Sequence, residues 1–477
     1  MPSRATELLV LAIDIGSSSL RTALFDERSQ RIGGSAAMRE YQIIYTADGG
    51  AELDPAMLLR AAKSCLSKTV RAAGKTRVAA VGGSAFWHSL LGLDAKLRPI
   101  TPIWTWADAR AMPDAARLRT LLDERKIHPR TGCMLRASFW PAKLSWARRT
   151  DPRRYRRVRR WVSPASWIFG ELFGVDECSH SMASATGLYN LRERTWDAEL
   201  CNFCGVKVEQ LGTISDEVEP AGAKFRNAQV FTAIGDGATS NLGSGADRPG
   251  LVAVNIGTSA ALRVIEENDE SRLPFGLFRH VVDESRTVLG GAVSNAGNLH
   301  RWCLRELRLG DDQPLPRRRA AEDALAVLPF WVSERAPNWP EDLRGTIVGL
   351  TQSTTAGEIL RATTCSVFYR LAEILELIES ATAGADEIIV SGGIRHSADA
   401  LRILADAMGR DLRLSSEPEA SLCGAAIHVL AGLGVEIRPL RAPKVIRYDQ
   451  RLAEKHRLRR ERQIALEQML TPLPSPQ

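Results

Sequence analysis

One carboxylate stands between two glycines near the middle of the chain, in Ile234-Gly235-Asp236-Gly237-Ala238. The glycines allow a sharp turn and the close approach of a ligand. The apolar run Leu251–Ile256 then leads into Gly257-Thr258-Ser259, a turn whose N–H groups and hydroxyls suit an anion. A lone acid beside a phosphate-binding turn is typical of phosphoryl transfer, with Asp236 as the base for an incoming hydroxyl. Taken alone, the same residues also fit an Asp-Gly turn before an ordinary strand.

A second copy of this strand and turn lies near the start of the chain. Val10–Ser18 (VLAIDIGSS) matches Val252–Ser259 (VAVNIGTS), with Asp14 in the place of Asn255. Internal similarity of this kind indicates a duplicated structure. Because the copies lie half a chain apart, they predict two domains whose turns hold one polyphosphate from opposite sides.

The first copy reads as a β-hairpin, with strands Leu8–Ile13 and Leu20–Phe25 joined by a turn that contains Gly16, Ser17 and Ser18. Arg21, just beyond the turn, would neutralise phosphate charge. Asp14 would hold a magnesium ion through water, since this ion keeps much of its hydration shell.

Aromatic residues mark a candidate site for the phosphate acceptor. Trp87 and His88 follow the buried strand Val78–Val81, and Trp106 comes soon afterwards in a second cluster of aromatic and charged residues. Open α/β sheets bind ligands beyond the carboxyl ends of their strands. Trp87 would therefore pack on a sugar face and His88 would bond a hydroxyl, while core packing is the alternative for all three.

A glycine pair follows the predicted strand Ile388–Val390. Gly392 and Gly393 would let an adenosine lie flat against the backbone before the predicted helix Ala398–Met408. A plain turn between strand and helix is the alternative.

Bulk properties agree with a chain of two or three domains. The 477 residues carry a formal net charge of +7 and eight scattered cysteines. The charge suits an anionic ligand, and the cysteine usage favours reduced thiols in a cytoplasm. No apolar run approaches the length of a membrane span.

Four local patterns carry further expectations. The arginine-rich stretch Lys143–Gly170 predicts a helix with a solvated face, and a nucleic-acid partner is disfavoured because no RNA-binding signature is present. Cys201 and Cys204 lie in the predicted helix Trp196–Gly205 and read as buried small hydrophobes. The basic tail Arg451–Arg462 predicts a solvated surface helix, and 311–320 reads as a loop.

Taken together, these pieces resemble the FGGY carbohydrate kinases, which include gluconate, xylulose, ribulose and glycerol kinases. The resemblance covers roughly Leu8 to Gly434. It rests on the motifs AIDIGSSSLRTALFD, FWHSLLGLD, KLSW, SMASATGLYNL, IGDGA, VNIGTSAAL, GGAVSN, SERAPNWPEDLRG, SGGIRHS and EASLCGAA, which occur in the family's order.

The resemblance implies an α/β fold of two actin/hexokinase-like (ribonuclease H-like) domains with an ATP and sugar cleft between them. The expected division is 1–244, 245–435 and a basic tail, 436–477. ATP and Mg2+ are the implied cofactors. The family roles carried over by position are the following: catalytic base, Asp236; metal and γ-phosphate, Asp14 and Asp236; first phosphate turn, Gly16, Ser17, Ser18 and Arg21; second phosphate turn, Gly257, Thr258 and Ser259; adenosine, Gly392, Gly393 and Ser397; substrate contact, His88.

The sequence leaves more than one candidate for the acceptor. Ala85-Phe86-Trp87 replaces the Gly-Gln-Met that is common before the family's histidine, whereas Ser181–Ser184 and the SERAP block resemble the gluconokinase branch. Gluconate is therefore the first expectation, with Arg110, Arg136 or Lys143 as the cation for its carboxylate. D-Xylulose or another ketose or polyol is the alternative acceptor. A non-catalytic ATP-binding sugar sensor or regulator is the alternative of another class, and a homodimer is the expected assembly.

Overall fold

A computed structural model gives the conformation of most of the chain. The described residues are 8–74, 76–221, 225, 228–267, 271–310, 313–315, 325–438, 440 and 444–471. Most of the predicted loop 311–320 therefore lies outside them. Among the described residues, no helix is long and apolar enough to cross a membrane.

The first half of the chain contains a sheet and the helices that cover it. Its strands are β1 (Leu9–Ile15), β2 (Ser19–Phe25), β3 (Ala37–Glu40), β4 (Ile44–Tyr45), β5 (Ala51–Leu53), β6 (Val78–Ala85), β7 (Leu91–Leu93), β8 (Ile103–Trp104), β9 (Arg160–Val162), β10 (Tyr189–Asn190), β11 (Thr195–Trp196), β12 (Glu219–Pro220), β13 (Gln229–Val230) and β14 (Ile234–Gly235). Its helices are α1 (Pro55–Ala72), α2 (Met112–Leu121), α3 (Glu124–Thr131), α4 (Trp140–Thr150), α5 (Pro152–Arg157), α6 (Pro164–Phe173), α7 (His180–Ser184), α8 (Ala198–Cys204) and α9 (Asp236–Ser244).

The second half repeats this plan. Its strands are β15 (Leu251–Ile256), β16 (Ala260–Glu267), β17 (Phe278–Val281), β18 (Arg286–Val293), β19 (Ala326–Leu328), β20 (Thr346–Val348), β21 (Glu387–Gly392), β22 (Leu412–Leu414) and β23 (Lys444–Ile446). Its helices are α10 (Gly297–Glu306), α11 (Ala356–Ala381), α12 (Ala398–Met408), α13 (Ala420–Gly432) and α14 (Gln450–Leu470).

The two main sheets confirm the predicted duplication. In the first, the described strands run in the order β12-β13-β6-β1-β2-β3, and in the second β17-β18-β16-β15-β21-β22-β23. Strands β1 and β15 take equivalent places, because each pairs antiparallel with the next strand and parallel with a later one, β6 or β21. Both are almost entirely buried, which explains their continuous apolar sequences.

Two helices cross between the halves at a very short distance. A Cβ atom on Gly243 of α9 would lie 1.9 Å from the carbonyl oxygen of Ala420, and one on Gly424 of α13 would lie 1.8 Å from that of Thr239. The backbones of α9 and α13 are therefore in direct contact. Helix α13 also packs on β1 and β6 of the first sheet.

One prediction about a basic segment is wrong and another is confirmed within its bounds. The stretch Lys143–Gly170 is not one helix but α4, α5, β9 and α6, because Pro152 cannot continue α4 and starts a new helix, and strand β9 separates α5 from α6. The predicted tail helix Arg451–Arg462 is a mostly exposed part of α14 in which only His456 is buried, but α14 runs further and buries Gln463, Leu466 and Glu467 beyond those bounds. The predicted burial of Cys201 and Cys204 is confirmed, and all eight cysteines are buried free thiols.

Candidate active site

Asp236 is the first residue of α9, directly after the short strand β14. Its two glycines serve a different purpose from the one predicted. A Cβ atom would lie 1.7 Å from Nε1 of Trp87 at Gly235 and 2.1 Å from Cζ3 of the same indole at Gly237. The space that the two glycines leave open is thus filled by Trp87 and not by a ligand.

A cavity of about 130 Å3 opens beside Asp236, and we call it the acceptor cavity. It brings together the predicted residues Trp87, His88, Trp106 and Asp236. Ser17 and Ser259, one from each predicted phosphate turn, also line it. The remaining lining residues are Phe86, Ser138, Phe139, Ala260, Ala261, Arg263, Phe278, Ala292, Arg335 and Trp339.

His88 presents one ring nitrogen as a hydrogen-bond acceptor. Its Nδ1 lies 2.6 Å from the carbonyl oxygen of Ala185, which can only accept, so Nδ1 carries the proton. Burial holds the pKa of His88 well below its usual range, and nearby His280 adds to this effect. The ring is therefore neutral and Nε2 is free to accept a bond from a hydroxyl. The backbone of His88 is left-handed, with a φ of 65°.

Arg263 and Arg335 place positive charge in the acceptor cavity, and neither was predicted as a site residue. The guanidinium of Arg335 lies 4.9 Å from the ring of Trp106 and donates to the Val293 carbonyl oxygen at 3.1 Å. The Nε of Arg263 has no hydrogen-bond partner among the described residues. Burial raises the pKa of Asp236, while the charges of Arg263 and Arg335 oppose that rise.

Sequence signals existed for both arginines. Arg335 belongs to the quoted SERAP block. In β16, Ala261 and Arg263 both line the cavity and stand two residues apart, which places them on the same face of the strand.

A larger cavity of about 400 Å3 lies on the other side of the second turn, and we call it the nucleotide cavity. Gly257, Thr258, Gly393 and Ser397 line it, as predicted for ATP contacts. Ser259 instead lines the acceptor cavity. The turn therefore separates the two cavities, which is the position expected for a phosphate that moves from one to the other.

Other residues of the nucleotide cavity were missed by the sequence analysis. They come from the start of α10 and from the buried side of α11, and they include Ala296, Gly297, Thr363, Val367 and Phe368. The quoted GGAVSN motif ends just before Ala296 and was the available signal. Ser397 caps α12 by accepting a bond from the Ala400 N–H.

Gly392 has a conformational role beside the nucleotide cavity. Its φ is 87°, and a Cβ atom there would lie 2.4 Å from the carbonyl oxygen of Ile256. Only glycine fits such a position.

Asp14 lies at the end of β1, buried beneath the first turn. Burial raises its pKa to about 6, Arg21 opposes the rise, and the negative charge of Asp236 adds to it. Arg21 Nη1 is 3.5 Å from Asp14 and its Nε is 3.6 Å from Glu419. Gly16, Ser18 and Arg21 line neither cavity, but Ser17 accepts a bond from Trp106 Nε1 at 2.9 Å, which ties the first turn to the acceptor cavity.

Comparison with known proteins identifies this arrangement. The family model described as "FGGY family of carbohydrate kinases, N-terminal domain" matches residues 9–242, and the one for the C-terminal domain matches residues 252–432. The chain belongs to the FGGY family of carbohydrate kinases. The family resemblance, the fold of two actin/hexokinase-like domains and the prediction of a phosphotransferase with an alcohol acceptor are thereby confirmed. The FGGY kinase uses ATP and a small sugar-type substrate, so the alternative of a non-catalytic regulator falls away.

The relatives of this chain are named for different substrates. A gluconokinase of Bacillus subtilis (strain 168) is 28% identical over 458 residues, which cover 89% of this chain and 88% of that protein. A xylulose kinase of Staphylococcus xylosus is 23% identical over 446 residues, 89% of this chain and 90% of that protein. The crystal structure of gluconate kinase from Lactobacillus acidophilus superposes with a TM-score of 0.89 at 24% identity, covers 98% of both chains and shows the same fold.

The three cations predicted for a substrate carboxylate lie outside the acceptor cavity of this FGGY kinase. Arg110 is occupied by Asp108 and Glu52. Arg136 pairs with Glu124, and Lys143 is buried with its Nζ donating to the carbonyl oxygens of His88 and Ser138 at 2.9 and 2.7 Å. All three are committed to the protein itself.

The acidic groups of the FGGY kinase fit a magnesium site in which the nucleotide supplies some of the ligands. No cluster of three or more His, Cys, Asp or Glu side chains that could hold a metal occurs among the described residues. Magnesium in nucleotide sites takes one or two carboxylates and completes its shell with phosphate oxygens and water. Asp14 and Asp236, whose charges influence each other, match that donor set.

Proposed function

We propose that this FGGY kinase is a gluconokinase, which transfers the γ-phosphate of ATP to a hydroxyl of gluconate. The observation that carries the proposal is the pair of guanidinium groups, Arg263 and Arg335, in the acceptor cavity beside Asp236. A neutral ketose or polyol has no group that requires such charge, whereas the carboxylate of a sugar acid does. The gluconokinase name of the 28% identical relative from Bacillus subtilis supports the same substrate.

In the proposed reaction, Asp236 accepts the proton of the attacking hydroxyl as that oxygen bonds to the γ-phosphorus and the bond to the β-phosphate oxygen breaks. Neutral His88 accepts a bond from another hydroxyl through Nε2. Arg263, whose Nε has no partner among the described residues, binds the carboxylate. Trp87 forms part of the apolar wall that excludes water.

ATP would place its adenosine in the nucleotide cavity against Gly393 and Ser397. The turns with Gly16, Ser17 and Ser18 on one side and Gly257, Thr258 and Ser259 on the other would hold the phosphates, with Arg21 offsetting their charge. Asp14 and Asp236 would hold Mg2+, which supplies charge neutralisation on the phosphates.

The test measures ADP release with magnesium-ATP and matched acceptors. D-Gluconate and D-glucitol share a carbon chain and differ at the carboxylate, so they isolate the role of charge; D-xylulose and glycerol complete the panel. We expect turnover with gluconate above all others. Arg263→Gln should raise the KM for gluconate about 10- to 100-fold, because a hydrogen bond to a charged group contributes about 1.5–3 kcal/mol.

Asp236→Asn should abolish turnover while ATP still binds. Preference for D-xylulose, or an Arg263→Gln variant with unchanged gluconate KM, would refute the sugar-acid assignment but not the kinase activity. The proposal also includes a cytoplasmic setting, where the buried thiols stay reduced, and a homodimer, which light scattering after size exclusion would test.

A further inference from the structure

Helix α14 lies beyond the matched C-terminal domain, which ends at residue 432. It nevertheless packs closely on α11, α12 and β19. Its buried side chains are mostly polar and each has a specific partner. His456 Nδ1 lies 2.8 Å from the Tyr369 hydroxyl, and Gln463 Nε2 donates to the Ser366 carbonyl oxygen at 3.1 Å.

The last buried polar residue of α14, Glu467, forms an ion pair in the protein interior. Its Oε2 lies 2.5 Å from Nη1 of Arg370, a residue of α11 that is fully buried. Glu373 is a second, more distant partner of Arg370 at 3.6 Å. Removing one partner of such a buried pair leaves an uncompensated charge in the interior, so the two side chains stay together in the folded protein.

Both members of the pair bind the segment 334–339, which we call the arginine loop. Arg370 Nη2 donates to the Ala336 carbonyl oxygen at 3.3 Å, and Asn338 Nδ2 donates to Glu467 Oε1 at 3.2 Å. On its other side the loop is held by Glu334, which accepts a bond from Asn295 Nδ2 at 2.9 Å.

The arginine loop delivers two side chains to the active site. Arg335 and Trp339 both line the acceptor cavity. Arg335 is directed there by its bond to Ser294 Oγ at 3.1 Å and by its contact with Trp106. A continuous set of contacts therefore runs from Glu467 through Arg370 and Ala336 to Arg335.

We propose that Glu467 is a positioning residue for catalysis: from outside the catalytic domains, it holds the arginine loop in the geometry that aims Arg335 at the acceptor. This proposal rests on the proposed function only where the acceptor is named. The C-terminal helix is thus a support for the active site and not a surface appendage.

The first test needs no substrate. Hydrogen exchange of the amides of Ala336 and Trp339, which donate to Ala292 and Arg335 carbonyl oxygens, reports the order of the loop. We expect exchange there to become about tenfold faster or more in Glu467→Ala, with 251–265 unchanged. Glu461→Gln, on an exposed position of the same helix, is the matched control. Unchanged exchange in the loop of Glu467→Ala would overturn the proposal.

The second test uses kinetics with whichever sugar the wild type phosphorylates. Glu467→Ala should raise the acceptor KM or lower kcat about tenfold while the KM for ATP stays the same, and Glu467→Gln should restore part of the loss. Added to Arg335→Ala, Glu467→Ala should cause no further loss of activity, because Glu467 is proposed to act only through the placement of Arg335. Additive losses, or equal losses for both substrates, would show a merely structural role.

Asn338→Ala provides the same test if Glu467→Ala does not fold. It removes only the direct bond to Glu467 and leaves the buried ion pair in place. We expect a smaller change of the same kind, an acceptor KM raised about threefold. No effect on the acceptor KM or on loop exchange would overturn the proposal. If gluconate fails as a substrate while loop exchange responds, the substrate assignment falls and the positioning role stands.

Discussion

Substituting Gly235 by alanine tests whether Trp87 packs against the glycine that precedes Asp236, the residue we propose as the catalytic base. Gly235 has a φ of −68° and a ψ of 146°, a conformation that alanine adopts readily. The new methyl group would lie 1.7 Å from Nε1 and 1.8 Å from Cε2 of Trp87. The substitution therefore acts through contact with the indole and not through the backbone.

The size of the effect follows from how tightly the indole is enclosed. Non-bonded carbon atoms prefer about 3.5–4.0 Å, so Trp87 must retreat by roughly 2 Å. The indole is 5% exposed and its ring centroid lies 4.8 Å from that of His280 on another side, so it cannot retreat without repacking. Overpacking of this kind costs about 1–3 kcal/mol of stability. Because Trp87 and Asp236 both line the acceptor cavity, we expect kcat/KM to fall about 100-fold.

The assay combines steady-state kinetics with thermal unfolding. Gly33→Ala is the control, since a methyl group there meets nothing within 4 Å, and it should behave as wild type. Trp87→Leu removes the atoms in the clash, so the double variant with Gly235→Ala should be less destabilised than the sum of the single variants. Wild-type stability and kinetics in Gly235→Ala would refute the packing described here.

Three further outcomes are expected. Burial lowers the pKa of Lys143 from an ordinary value of 10.5 to about 7. The free energy of unfolding should therefore fall as the pH is lowered from about 10.5 to 7 and change no further below pH 7. In urea unfolding, wild type should become more stable relative to Lys143→Met by up to about 1.4 kcal/mol for each unit that the pH is raised within this window. Arg110→Ala should lower the melting temperature without changing the acceptor KM, because its guanidinium is held by Asp108 and Glu52. A raised acceptor KM would instead show that Arg110 contributes to substrate binding. Thr355→Ala removes the N-cap of α11 and should cost about 1 kcal/mol in unfolding, with full activity retained.

Local patterns in the sequence were sufficient where neighbouring residues decide the structure. The duplicated strand and turn at Asp14 and Asn255 appears as equivalent strands in two sheets, because a buried strand followed by a glycine turn is specified locally. Helix α12 matches its predicted bounds, with Ser397 as the N-cap at its start. These elements need little information from the rest of the chain.

Charged residues were harder to place, because their partners are remote in sequence. Arg110 pairs with Glu52 across 58 positions and so is withdrawn from the role predicted for it. The strand period of β16 places Ala261 and Arg263 on one face, but only the packing of the sheet decides that this face borders the acceptor cavity. The sequence analysis missed the buried side of α14 because that side is mostly polar and shows no apolar periodicity. Its Glu467 pairs with Arg370, which lies 97 positions away in the sequence.

Because α9 and α13 pack directly against each other, we expect that neither half of the chain folds stably without the other. Helix α13 comes from the second half, yet Val429 reaches Gly82 of β6 so closely that a Cβ atom on Gly82 would lie 2.2 Å from the valine Cγ2. Leu422, Ala426 and Val429 belong to the core of the first half. A fragment ending near residue 250 would expose that face to water and should aggregate or be degraded. Two fragments divided near residue 250 should instead become soluble only when they are produced together, because α13 of the second fragment can then pack on β1 and β6 of the first.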